Sequence, residues 1–473
     1  MKIKKYTILI LSSLILTVFI NANAIDKLHL EGKNLKGFYA YKDEDTVYVT
    51  PELLENGGRW KIQEEKNKTF AIVKVGNKEE KVEIPIIIKD NKKLVDFDFF
   101  SKQAGLKGEI NLKRKTFKIQ KDKQINLKKE KSNLKPLIIW DPDSEFNQNS
   151  AFFTENAGIR IISPTLGSIN VFNNVFSNEF LSYLKNIQDL GMEVMPLIHN
   201  NFDPDKTRDF VKNSKKIDEI TNRMAAYSEV YRFDGYNIDF ENMYKEDKNL
   251  FTNFIKELSS KIHARNKKLS IDITVIEPLS DFWSMCYDRK ALSEFTDYQI
   301  IMGYDETPAG SKYAGSVSSY NWLNRKIPEL LNEVPAEKLI LGIPFYTRAW
   351  IGYDGSATSS VLTIKNNREF IMKHNVRLIW QEKEKQYKGI YKTNGLPAQI
   401  WMEEKRSLGE KIKLAKKYKL GGLAFWRYGF ESSDIYSYLE NKWINNYSEY
   451  DIWNNSNGSI LEKIRKKNRI KNR

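Results

Sequence analysis

From residue 136 onward, apolar residues arrive in short runs separated by stretches in which they recur every three or four positions. The runs Pro136 to Trp140, Ile159 to Ser163, Glu193 to Ile198, Gly235 to Phe240, Lys268 to Thr274, Tyr298 to Tyr304, Lys338 to Pro344 and Gly421 to Trp426 read as eight strands. Helical spacing fills the gaps, as in Phe180, Leu184 and Ile187, then Ile217, Ile220, Met224 and Tyr227, then Leu250, Phe254, Leu258 and Ile262. Strands alternating with helices predict an α/β fold, a (β/α)8 or TIM barrel over residues 136–444, with its functional residues at the C-terminal ends of the strands. The competing architecture, a doubly wound sheet, calls for a glycine-rich phosphate loop after its first strand. Trp140-Asp141-Pro142-Asp143 is not one.

Two regions break the alternation. The stretch from 345 to 420 is too long for one helix and its turns, and Val376 to Trp380 and Tyr387 to Tyr391 alternate like a small antiparallel sheet. A small α+β insertion is therefore expected between strands seven and eight, at about 347–400. Residues 25–121 are different in kind, with short alternating runs and turn signals such as Asn56-Gly57-Gly58. They also repeat: Lys68-Thr69-Phe70 recurs as Lys115-Thr116-Phe117, Gly58 as Gly105, Leu53 as Phe100, and Val47 falls on Leu94, all at one offset. The expectation is a small β-rich α+β module built from a duplicated strand-helix-strand unit, separate from the barrel. The lysine-rich run 122–135 reads as a solvated linker and 445–473 as a basic tail, a binding patch being the alternative for each. At the other end Lys2, Lys4 and Lys5, the apolar run Tyr6 to Ile20, and Ala22-Asn23-Ala24 read as a secretory signal over residues 1–24. An uncleaved anchor is the alternative, for which the run is short.

Composition narrows the partners. The 473 residues carry a net charge of +15, which suits anionic surroundings such as wall polymers, a membrane surface or nucleic acid. The basic residues are scattered rather than interleaved with aromatics, so no nucleic-acid partner is expected. No later apolar run is long enough to span a bilayer. Cys286 is the single cysteine, so no internal disulfide forms, and a buried apolar role suits it better than a nucleophilic one. The four histidines lie far apart without metal-ligand spacing, so neither a metal nor another cofactor is expected.

The most informative stretch is Arg232-Phe233-Asp234-Gly235-Tyr236-Asn237-Ile238-Asp239-Phe240-Glu241-Asn242-Met243. With the period of two that a strand imposes, Asn237, Asp239 and Glu241 share one face, and Tyr236, Ile238 and Phe240 the other. A half-solvated strand would look like this, but helical segments on both sides mark a strand buried on both faces. Buried carboxylates are destabilising by several kcal/mol unless paired or neutralised, so chemistry is the better reason for keeping them. Asp239 and Glu241 lie roughly 6.7 Å apart along the strand, and such neighbours do not both ionise readily. One of them then holds a proton near neutral pH, as a general acid must.

Asp234-Gly235-Tyr236-Asn237-Ile238-Asp239-Phe240-Glu241 resembles the Asp-Gly-x-Asp-x-Asp-x-Glu signature of glycoside hydrolase family 18, carried on the fourth strand of a (β/α)8 barrel. Asn237 stands where most members have Asp, as in the branch of bacterial spore-cortex and cell-wall N-acetylglucosaminidases. The resemblance implies that Glu241 protonates the leaving oxygen, that Asp239 holds the substrate's acetamide N–H, and that Asn237 and Asp234 orient Asp239. Ile301-Met302-Gly303-Tyr304-Asp305 resembles the family's Met-x-Tyr-Asp segment, which implies substrate-binding roles for Met302, Tyr304 and Asp305. Trp426 in Gly421 to Arg427 resembles the tryptophan that floors the sugar subsite, although a tryptophan at a strand end is as often core. Tyr346, after the seventh strand, is a further binding candidate, and Trp350, Trp380 and Trp401 are candidates for groove lining. For Trp380 the insertion's own core competes. Residues 25–121 resemble the copper amine oxidase N-terminal-like module of bacterial envelope proteins, a wall-binding or spacing role that implies no copper.

The expectation is thus an exported, monomeric hydrolase of the cell envelope or extracellular space. It cuts β-linked N-acetylglucosamine bonds, in peptidoglycan or a chitin-like polysaccharide, by a substrate-assisted retaining mechanism. A chitinase, an endoglycosidase acting on glycoproteins, and a carbohydrate-binding or adhesion protein without catalysis remain open.

Overall fold

The computed structural model describes residues 26–31, 35, 37–43, 46–122, 135–145 and 160–444. The secretory-signal expectation, almost all of the linker and the basic tail lie outside the described residues. The chain divides into two compact units, one made of residues up to 58 with 86–122, the other of 59–85 with 123 onward.

In the smaller unit, seven strands form one sheet in the order Ile87–Lys89, Lys92–Asp96, Thr46–Val49, Ala40–Asp43, Asp26–Glu31, Thr116–Lys121, Leu106–Asn111. The internal repeat is visible as strand, helix and glycine stop. Thr46–Val49 leads into the 3-10 helix Pro51–Gly57, and Lys92–Asp96 into the α-helix Phe97–Ala104. Gly58 and Gly105 then terminate the two helices at φ of 77° and 85°, where a Cβ is disfavoured. Leu53 and Phe100 are both buried at matching places, as are Val47 and Leu94.

After the glycine the two copies diverge. The hairpin of the second copy joins the seven-stranded sheet. That of the first, Lys61–Glu65 and Lys68–Val75, pairs instead with Lys78–Ile84 in a separate three-stranded sheet belonging to the barrel unit. Residues 59–85, read from the sequence as part of the N-terminal module, thus cluster with the barrel.

The barrel strands are β1 Leu137–Asp141, β2 Ile161–Ser168, β3 in two pieces (Glu193–Val194 and Leu197–His199), β4 Gly235–Asp239, β5 Lys268–Ile273, β6 Tyr298–Met302, β7 Leu339–Pro344 and β8 Gly422–Trp426. Each pairs in parallel with its neighbour, and β1 pairs with both β2 and β8, which closes the barrel. The break in β3 falls at Met195-Pro196, because proline has no N–H to give to the ladder. Ile138, Trp140, Ile161, Leu197, Ile300, Ile340 and Ala424 pack together as a buried cluster. The barrel unit's α-helices of seven residues or more, among the described residues, are α1 Asn178–Asp189, α2 Pro204–Val211, α3 Ser214–Val230, α4 Lys248–His263, α5 Arg289–Phe295, α6 Tyr320–Leu331, α7 Asn367–Lys373 and α8 Lys405–Lys417. Side chains of Ser177, Asp203, Asn213, Asp288 and Ser319 accept from backbone N–H groups at the starts of α1, α2, α3, α5 and α6.

The three-stranded sheet lies on α3. It buries Ala71, Val73, Val75, Val82 and Ile84, the alternate positions of its strands. Tyr231 Oη donates to Glu83 O at 2.6 Å and Arg265 Nη2 to Lys74 O at 2.7 Å, while Lys78 pairs with Asp218.

The insertion after β7 is a five-stranded antiparallel sheet in the order Thr358–Thr363, Tyr346–Ile351, Leu396–Met402, Gln386–Thr393, Arg377–Gln381, with α7 beside it. It is slightly longer than the expected 347–400. Ala349, Leu362, Ile371, Val376, Tyr387, Tyr391, Ala398, Ile400 and Met402 form its core. Glu403 and Lys411 make a fully buried ion pair at 2.7 Å at the insertion's exit, joined by Gln386 and Ser407. Among the described residues no helix is long and apolar enough to cross a membrane.

Candidate active site

β4 approaches β5 so closely that a Cβ on Gly235 would lie 2.1 Å from Lys268 O, so the strand needs glycine there. Asn237 and Asp239 project inward from β4 and are buried. Glu241 follows two residues later at the mouth. A cavity of about 690 Å³ opens at this end, lined by Asp239, Glu241, Asp272, Glu277, Asp305 and Glu306 together with Phe202, Trp283, Met302, Tyr304, Tyr346 and Trp426. Its lining, among the described residues, contains six carboxylates and no lysine, arginine or histidine.

That crowding governs protonation. Burial, and then the negative charge of Asp305, push the Glu241 carboxyl up to about 7, against the opposing effect of a hydrogen bond from Trp283. Glu241 therefore keeps its proton into the neutral range. Burial, followed by the charges of Asp272 and Glu241, holds Asp239 well above the usual carboxylate range. Tyr304 is driven up by burial and by the surrounding carboxylates, so its hydroxyl remains a donor. Asp305, at φ 57°, accepts from Tyr346 Oη at 2.9 Å and from Arg348 Nη2 at 3.2 Å on one oxygen. Trp426 is half-buried and packs against Trp140, with ring centroids 5.8 Å apart.

The structure thus gathers Glu241, Asp239, Met302, Tyr304, Asp305, Tyr346 and Trp426 around one cavity. Two sequence expectations are corrected. Asp234 lies at the start of β4, roughly 16 Å along the strand from Asp239. Its carboxylate accepts from Val194 N at 2.9 Å, and its backbone carbonyl accepts from Lys268 N at 2.8 Å. It stitches β3, β4 and β5 together at the far end of the barrel and does not orient Asp239. Asn237 does not donate to Asp239 either: its Nδ2 donates to Asp272 Oδ2 at 2.6 Å, and its Oδ1 accepts from Ser270 Oγ at 2.7 Å.

The insertion's tryptophans do not line the cavity. Trp350 is fully buried with its Nε1 donating to Gly315 O, Trp380 packs on the insertion's core beneath Arg406, and Lys388 lies over Trp401.

Three residues were missed. Asp272, on β5, faces the cavity beside Asp239, and the alternation Ser270, Asp272 within an otherwise apolar strand was the available signal. Trp283 comes from the loop after β5, which carries no periodic pattern. Asn200, just past β3, clamps the backbone of Glu241 from both sides, donating to its carbonyl at 2.7 Å and accepting from its N–H at 3.2 Å.

Residues 144–431 match the family model described as "Glycosyl hydrolases family 18". The chain is 26% identical over 239 residues to the uncharacterized glycosylase YvbX of Bacillus subtilis, covering 50% of this chain and 69% of that one. It is 23% identical over 218 residues to the cortical fragment-lytic enzyme of the same organism, covering 44% of this chain and only half of that one. Among solved structures, a chitinase from Chromobacterium violaceum superposes with a TM-score of 0.58 at 21% identity, over 65% of this chain and 98% of its own. This last likeness is one of fold.

Proposed function

Starting from the fact that the chain belongs to glycosyl hydrolases family 18 and is a glycosidase, we propose that it cleaves β-linked N-acetylglucosamine bonds in peptidoglycan by a substrate-assisted, retaining mechanism. The observation that carries this reading is the pair Asp239 and Glu241 at the mouth of β4, with Glu241 protonated near neutrality inside an acidic cavity. Glu241 gives its proton to the glycosidic oxygen as the C1–O bond breaks, and the acetamido carbonyl oxygen of the same sugar closes onto C1. The positive charge of the resulting oxazolinium is offset by Asp239, which accepts from the acetamide N–H. Tyr304 donates to the acetamide oxygen. Water, deprotonated by Glu241, then opens the ring from the face the leaving group left, so configuration is retained.

Trp426 offers an apolar ring to the sugar's C–H face, and Met302 and Tyr346 flank it. Asp305, fixed by Tyr346 and Arg348, binds a sugar hydroxyl and keeps Glu241 protonated. Asn200 fixes the height of Glu241 through its backbone. Peptidoglycan is favoured as the polymer by the similarity to a relative named for lysing cortical fragments and by the net charge of +15, which draws the protein to anionic walls. We assign residues 1–24 as an export signal and the N-terminal unit, read as a copper amine oxidase N-terminal-like module, as an envelope-binding element; the protein acts outside the cell membrane as a monomer. The test is to incubate the protein with peptidoglycan, chitin oligomers and an N-glycoprotein in parallel and to identify new reducing ends by mass spectrometry. N-acetylglucosamine ends from peptidoglycan are expected. Release only from chitin or the glycoprotein would overturn the substrate, and an inverted product anomer would overturn the mechanism.

A further inference from the structure

β4 and β5 pair in register, with Asn237 beside Ser270 and Ile238 beside Ile271. The next step of that register sets Asp239 beside Asp272, both on the inward face. Ser270 donates to Asn237, and Asn237 donates to Asp272 Oδ2, so both ends of the amide are engaged and Asp272 cannot turn away. This leaves one oxygen on each acid, Asp239 Oδ1 and Asp272 Oδ1, buried and without a hydrogen-bond partner. A buried acceptor left unmade is destabilising by about 1–3 kcal/mol, and more when charged. One O–H between two such oxygens satisfies both, and the charge-assisted bond is of the strong kind.

Resting on the mechanism given above, we propose that Asp272 is a positioning residue for Asp239: the two acids share a single proton across the β4–β5 pair, and Asn237 holds Asp272 in place for it. The signature's third carboxylate is thereby moved from the β4 position occupied by Asn237 to the adjacent strand. Bound acetamide needs Asp239 as an acceptor, so the proton rests on Asp272 Oδ1 while Asp239 carries the negative charge that faces the oxazolinium. On product release it is shared again, and no proton is gained or lost. The groups facing the pair are Asn237 and Ser270, which are neutral, Glu241 above it, and the Tyr304 hydroxyl after β6. Burial and the Glu241 charge hold Asp272 well above the usual carboxylate range, against the Asn237 hydrogen bond, as a shared proton requires.

The test has one arm without activity and one with it. In the Glu241→Gln background, infrared difference spectra recorded through a pH titration should show a protonated carboxyl that persists at neutral pH and is lost when Asp272→Asn is added. In the otherwise native enzyme, with a soluble N-acetylglucosamine tetramer as substrate, Asp272→Asn should lower kcat at least 30-fold with KM within threefold. The double variant Asn237→Asp/Asp272→Asn, which returns the carboxylate to β4, should recover most of that loss. The inference is overturned by a carboxyl signal indifferent to Asp272→Asn, by a kcat within threefold of wild type, or by a double variant no better than the single one. Failure of the wild-type protein to cut any of the three polymers would overturn the proposed function instead, and the infrared result would still stand.

Discussion

Replacing Glu241 with Gln should disable the enzyme and stabilise it, with a pH dependence that identifies the cause. In the folded protein the carboxyl is pushed from its ordinary 4.5 to about 7, whereas in the unfolded chain it returns to the ordinary value. Folding therefore favours the protonated form. Below about pH 4.5 both states carry the proton and the side chain is neutral to stability. As pH rises toward 7 the unfolded state gains from ionising and the folded state does not, so stability falls by about 1.36 kcal/mol for each step of one in pH. Above pH 7 the full effect is present, about 3 kcal/mol. Gln has nearly the same shape and never titrates. The variant should match wild type at pH 4 and exceed it at pH 8, by about 5 °C in Tm, while hydrolysis falls by roughly two to three orders of magnitude with binding retained. Thermal unfolding of both proteins from pH 4 to 9 is the assay. A Tm difference that does not change with pH would refute the claim that burial and Asp305 hold the proton on Glu241, and a variant keeping more than about a tenth of wild-type turnover would remove Glu241 as the acid.

Two further expectations concern groups around that carboxyl and one a structural pair. Asp305→Asn removes a like charge and should move the alkaline limb of kcat/KM to lower pH, whereas Trp283→Phe removes a hydrogen bond to the charged form and should move it higher, each by about half a pH unit or more; limbs moving the same way would contradict this account of Glu241. Lys411→Met leaves Glu403 buried without its counter-ion and should destabilise the protein by about 3–5 kcal/mol in urea titrations, while Glu403→Gln, whose one carbonyl oxygen still accepts from Lys411 and Gln386 at the Oε1 position, should lose clearly less; equal losses would contradict this account of the pair.

Much of the barrel could be read from the chain because strands and helices announce themselves in two different periods. All eight strands occur within a few residues of their expected bounds, and Pro196 explains the one that is broken. The site was legible where its residues lie along one strand, as with Asn237, Asp239 and Glu241. It was not legible where meaning depends on what lies across the ladder. The order of residues alone does not say that Asn237 faces Asp272, and Asn200 has no signal beyond its place after β3. Asp234 shows the opposite error: it belongs to the signature, but five residues of extended chain carry it to the other end of the barrel. The insertion tryptophans failed for other reasons: Trp380 packs on the insertion's own core, while Trp350 and Trp401 lie on strand positions that alternate with core residues, the first buried with its Nε1 donating to Gly315 O and the second covered by Lys388.

The division of the N-terminal repeat alters what a catalytic fragment of this protein can be. The chain passes between the two units at residues 58–59, at 85–86 and again after 122, so the smaller unit is not a pendant on one tether. Truncation at 122 would strip strands 61–84 from α3, lay open the face on which Tyr231 is wholly buried and leave its hydroxyl without Glu83 O. An apparent minimal enzyme made that way would fail for want of a piece of its own wall. A break in the chain between 122 and 135 would leave strands 61–84 on α3, so residues 59–85 would stay with the barrel unit as a separate piece of chain.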